Sequence, residues 1–174
     1  MTNRQRDRSE TPLAPSRATT SAAFLLAQVG GHAAMRFGER LSGLGLTPPH
    51  AGILGAINGS EGLSQQALCE RLRVMPSRLV TLVDELEQRE LVERRDKPDD
   101  RRTHALHLTE QGRSVLTAIG QVAREHQEAL CAALTREERQ QLAGLLRRIA
   151  DQQGLAPGVH PGFSRLGRKA TSDT

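Results

Sequence analysis

Between residues 76 and 108 the apolar period of the chain changes, and this constrains the fold more than any other feature. Leu79, Leu82, Val83 and Leu86 recur at spacings of three and four, one buried stripe of a helix opened by Pro76. Residues 91–95 and 103–108 instead read as two short strands, joined by the charged turn 96–102. Leu106 and Leu108 share one face of the second strand, with His104 beside them and His107 opposite. Upstream, Ser64 caps a short helix carrying Leu68 and Leu72, and only Arg73-Val74-Met75 separates it from Pro76. Two helices across a tight turn, followed by a charged hairpin, predict a winged helix-turn-helix.

Helices are also expected on both sides. Residues 21–41 form the first, ending at Ser42-Gly43-Leu44-Gly45. Thr47 caps a second, with Pro48 at its first position, and this helix stops at Asn58-Gly59. Thr109 starts a long helix bearing Val115, Ile119 and Val122. Thr135 and Glu138 form a capping box opening a last helix with the stripe Leu142, Leu145, Leu146 and Ile149. Only Phe24, Phe37 and Phe163 are aromatic, so the core must be aliphatic, and stacking platforms for single-stranded bases are disfavoured. The predicted class is mainly α with a small β wing: a winged helix-turn-helix domain plus a helical dimerisation region.

The 174 residues suit one domain with ragged ends. Residues 1–20 read as a disordered arm and 152–174 as a flexible tail, because neither stretch carries enough apolar surface to order itself. The domain proper is 21–151, with the helix-turn-helix at 64–89 and the wing at 91–108. Dimerisation is expected through 21–43, 109–133 and 135–151. The longest apolar run is far short of the ~20 residues of a membrane span, and no signal-peptide core follows the N-terminus, so the expected location is cytoplasmic. There are 24 Lys+Arg against 20 Asp+Glu, a balance that permits a polyanionic partner. In a recognition helix starting at Pro76, Ser77, Arg78 and Thr81 lie opposite the apolar stripe. Arg78 can fork onto a guanine edge, worth roughly 1–3 kcal/mol of discrimination. Arg101 and Arg102 of the wing are long enough to enter a minor groove. The bland alternative for Arg94, Arg95, Lys97, Arg101 and Arg102 is a solvated charge cluster, nearly neutralised by Glu93, Asp96, Asp99 and Asp100.

Residues 21–151 resemble the MarR family of bacterial winged-helix regulators. The matching stretches are LTPPHAGILGAI, LSQQALCERL, MPSRLVTLVDELEQRELVERR and, most specifically, DKPDDRRTHALHLTEQGR. The resemblance implies a homodimer on a pseudo-palindromic duplex operator, usually a repressor, released by a small molecule or by oxidation. It places Arg102 at the wing tip and gives Asp100 the task of orienting the wing. Two positions depart from the pattern: Thr81 stands where relatives often have Arg, and Glu90 where they usually have Gly. The effector cleft implied by the family has His32, Arg36 and His50 as candidates by position, suited to a small aromatic or anionic ligand.

Other functions find less support in the residues. There is no GxSxG, phosphate loop or HExxH, so an enzyme is not expected. The six histidines are scattered, and neither a metal nor a cofactor is expected. Cys69 and Cys131 form no CxxC; redox-sensing relatives place a reactive Cys in the first helix, and residues 21–43 have none. The alternatives are a winged-helix protein-interaction dimer without specific DNA binding, or a thiol-based redox regulator.

Overall fold

The computed structural model describes residues 21–97 and 100–159, and the side chains of 97–103 lie outside that description. Among the described residues, six helices and three strands follow one another as α1 (Ala22–Ser42), α2 (Pro48–Asn58), β1 (Leu63–Ser64), α3 (Gln65–Leu72), α4 (Pro76–Gln88), β2 (Val92–Lys97), β3 (Asp100–Leu108), α5 (Glu110–Leu130) and α6 (Arg136–Gln152). This is the mainly helical winged class expected from the sequence. The chain divides after Ala33 into two compact units. The first contains the opening part of α1, where Phe24, Leu25, Leu26 and Val29 are exposed. The second, from Ala34 onward, contains every other element.

In the second unit the core is aliphatic. Ile53, Leu54 and Ile57 of α2 meet Leu68 and Leu72 of α3 and the α4 stripe Leu79, Leu82, Val83 and Leu86. Leu91, Val92, Leu106 and Leu108 bring the wing into the same core. The helix starts follow local chemistry. The Ser64 hydroxyl accepts from the Ala67 amide, Thr109 from Gly112 and Thr135 from Glu138. The Glu138 carboxylate accepts the Thr135 amide in return, which holds its carboxyl below the ordinary range.

The sheet has the order β1-β3-β2 and is antiparallel throughout. Two features differ from the sequence reading. A two-residue strand at Leu63–Ser64 pairs with Leu106 and Ala105; it is too short to leave a period. The hairpin is also longer than expected, with β2 running to Lys97 and β3 starting at Asp100. Asp96 lies opposite His104, and their side chains meet at 3.1 Å. Asp96, Lys97 and Asp100, which read as part of a turn, are paired strand, with a register shift between Asp96 and Lys97.

Four helices end in one motif. After α1, α3, α4 and α6, a left-handed residue donates to a carbonyl three residues back, and the next donates to a carbonyl five back. Gly45 and Gly154 fill the left-handed position after α1 and α6, and the next residues are Leu46 and Leu155. Arg73 (φ 52°) and Glu90 (φ 56°) fill it after α3 and α4, followed by Val74 and Leu91. A β-carbon is disfavoured at that φ, so Glu90→Gly should stabilise the fold by about 1 kcal/mol. Glu90 is a cleaner test than Arg73, whose Nη1 also donates to the Gly154 carbonyl. Urea unfolding checks it: the midpoint should rise at constant m, and an unmoved or lower midpoint contradicts it.

Candidate nucleic-acid interface

Recognition-helix candidate α4 buries one stripe and leaves its N-terminal face open. Ser77 and Thr81 are exposed, and the Thr81 hydroxyl donates to the Ser77 carbonyl at 3.2 Å. Val80, absent from the sequence reading, stands exposed between them. Arg78 is half-buried, and its Nε is a buried donor without a hydrogen-bond acceptor among the described residues.

The helix is held from several directions. Arg89, just past α4, donates to the Gly45 carbonyl at 2.6 Å and to the Leu44 carbonyl at 3.1 Å. His50, on α2, is buried, and its Nε2 lies 2.8 Å from Glu85 Oε2 on α4. The Thr47 amide donates to His50 Nδ1 at 3.3 Å. The proton of the neutral ring therefore sits on Nε2 and is donated to Glu85.

From the wing side, Arg94 of β2 forks onto Asp84 and Glu87 of α4. The start of α5 clasps the segment between α4 and β2. There the Thr109 amide donates to the Leu91 carbonyl at 3.2 Å and its hydroxyl to the Glu90 carbonyl at 2.5 Å. Gly112 lies so close to this segment that a β-carbon on it would sit 2.0 Å from the Leu91 carbonyl oxygen. The Thr and Gly of the Leu-Thr-Glu-x-Gly signature thus fasten the wing to the first turn of α5.

Asp100, Arg101 and Arg102 fall in the first residues of β3, and their side chains lie outside the described residues. Of the three effector candidates, His32 is exposed on the first unit's part of α1. Arg36 pairs with Glu39 at 2.6 Å on the surface, while both ring nitrogens of His50 are engaged by Thr47 and Glu85. The described polar contacts do not join Arg36 to His50. Cys69 is half-buried, and burial, followed by the neighbouring Glu70 charge, pushes its thiol up. A raised thiol holds less of the reactive thiolate. Sequence reasoning missed Arg89 and Glu85 and counted Arg94 only among the charges of the wing, because charge alone does not tell a clamp from a solvated face.

Among the described residues no helix is long and apolar enough to cross a membrane. The profile of the MarR family matches residues 44–103. A candidate transcriptional regulatory protein for the hcr operon of Thauera aromatica is 37% identical over 113 residues, covering 65% of this chain and 68% of that one. The HTH-type transcriptional repressor MdtR of Bacillus subtilis is 28% identical over 112 residues, 64% of this chain and 72% of that one. Among solved structures, the transcriptional repressor CouR bound to a 23-mer DNA duplex is similar at TM-score 0.71 and 27% identity, over 80% of this chain and 99% of that chain. A MarR mutant from Escherichia coli complexed with operator DNA is similar at TM-score 0.64 and 25% identity, over 73% and 91%. By this likeness and by the helix-turn-helix, hairpin and clasp described above, the chain belongs to the MarR family of winged-helix transcriptional regulators.

Proposed function

We propose that the protein is a homodimeric repressor that binds a pseudo-palindromic duplex operator. The observation carrying this reading is the open N-terminal face of α4, Ser77, Val80 and Thr81, on a helix bonded to the wing hairpin. Such a face suits the major groove: Val80 can meet a thymine methyl, Thr81 a base edge, and Arg78 a guanine. Arg101 and Arg102 of the wing then reach the adjacent minor groove, with Asp100 orienting them. DNA-bound relatives of similar fold support the choice of partner.

The dimer reading rests on uncovered apolar surface. No residue of α6 is buried, although Leu142, Leu145, Leu146 and Ile149 form its apolar stripe. A second copy covers such a face symmetrically. Release by a small aromatic or anionic effector belongs to the same proposal, with Arg36 as its exposed cation; the ligand acts by favouring one spacing of the two recognition helices.

Gel shifts on the duplex upstream of the protein's own gene test the DNA contacts. Arg78→Ala should cost about 1–3 kcal/mol of discrimination at one base position. Arg102→Ala should weaken binding and, if it neutralises a phosphate, lower the log–log salt slope by about 0.9. Wild-type binding by both variants would remove these residues from the interface.

A further inference from the structure

β2 runs beside the C-terminal half of α4, and one side chain bonds the two. Arg94 Nη2 donates to Asp84 Oδ1 at 2.5 Å, and Nη1 donates to Glu87. The two acids are three residues apart and so share a face of the helix. The Arg94 side chain is 21% exposed, while Asp84 and Glu87 keep 45% and 39%. The backbone beneath it is fixed, because Arg94 lies opposite fully buried Leu106 in the sheet. Its guanidinium therefore has a defined origin and two defined acceptors, the geometry in which a planar fork orients its partners.

The charge of α4 gives this fork a second consequence. The helix carries one arginine, Arg78, against three carboxylates, Asp84, Glu85 and Glu87. All three stand in its C-terminal half, where the helix dipole is already negative. A recognition helix of that charge is repelled by a polyanion unless cations sit against it. Arg94 is a cation that meets two of these carboxylates, Asp84 and Glu87.

We propose that Arg94 is a positioning residue for operator binding: it fixes the wing against the recognition helix and offsets the acidic half of that helix. The proposal rests on the DNA-binding reading above. The role requires no contact between Arg94 and DNA, and it adds a wing-orienting group distinct from Asp100.

Two measurements on the full-length protein separate this inference from the reading beneath it. The first is amide hydrogen exchange without DNA, on Arg94→Met and on the double variant Asp84→Asn/Glu87→Gln. Methionine keeps an unbranched stem but no fork, and the double variant breaks the same clamp from the helix side. Both should exchange faster over 92–108, with α5 and α6 as protected as in the native protein. Unchanged exchange over the wing in both variants overturns the inference, whatever happens to DNA binding. The second is affinity for the upstream duplex. Arg94→Met should bind roughly tenfold more weakly, with Arg94→Lys recovering part of the loss. The combined Arg94→Met/Arg102→Ala variant should lose far less than the product of the single losses, because a misplaced wing no longer uses Arg102 fully. Losses that simply multiply, or native affinity in Arg94→Met, overturn the inference. Faster wing exchange together with native affinity in Arg102→Ala leaves Arg94 as a wing-positioning group and rejects the Arg102 contact instead.

Discussion

Gly112→Ala should destabilise the protein by about 3 kcal/mol or more, the upper range for overpacking a close contact. The new β-carbon would sit 2.0 Å from the Leu91 carbonyl oxygen and 3.0 Å from its carbonyl carbon. Both are backbone atoms, so no rotamer change relieves the clash. Leu91 is also fully packed, and its carbonyl accepts the Thr109 amide. The strand must therefore move away from α5, and the wing with it. Alanine gains about 1 kcal/mol of helix propensity over glycine, which is too little to offset this. Chemical denaturation should show a large drop in midpoint. In any folded fraction, exchange should rise first at residues 89–92. A midpoint within experimental error of the native one would mean that the close approach is easily relaxed.

The second large effect concerns assembly. Leu145→Asp should dissociate the proposed dimer and abolish tight operator binding together. Leu145 is 54% exposed in the isolated chain, in a helix with no buried residue of its own. An aspartate there should cost the monomer little. In a symmetric interface each substitution appears twice, and an unpaired buried charge is strongly unfavourable. Sedimentation should show a native dimer and a variant monomer with native-like circular dichroism. A variant that remains dimeric would place the interface elsewhere.

Much of this architecture was legible because it is written locally. Ser64, Thr109 and Thr135 each announce a helix start through a side chain that reaches only three residues ahead. The α4 stripe reports burial through its period alone. The wing was legible as a hairpin but not in its extent. Near its tip both faces are polar, so no alternation marks the strand, and the Asp96–His104 pair appears only once the strands are in register. Glu90 shows a similar limit. Its sequence departs from a glycine stop, yet the backbone still takes the left-handed turn, because Leu91 must enter the core.

The candidate site divides in the same way. Exposure of Ser77 and Thr81 follows from helix periodicity. The clamps do not, since Arg94 meets Asp84 ten residues away and Arg89 meets Gly45 across 44. His50 is the clearest case. Position made it a pocket candidate, whereas its ring both bonds the Thr47 amide and donates to Glu85. No local pattern distinguishes such a buried linker from a ligand-facing imidazole.

The proposed dimeric, sequence-specific DNA binding is tested most directly by equilibrium titration of the upstream duplex against a scrambled duplex of equal length and composition. Fluorescence anisotropy, read at several salt concentrations, gives affinity, stoichiometry and salt slope together. The proposal predicts saturation at two chains per duplex, with Kd near ~10⁻⁸ M or tighter at physiological salt and at least ~10³-fold weaker binding to the scrambled sequence. Equal affinity for the two duplexes, or saturation by a single chain, would contradict it.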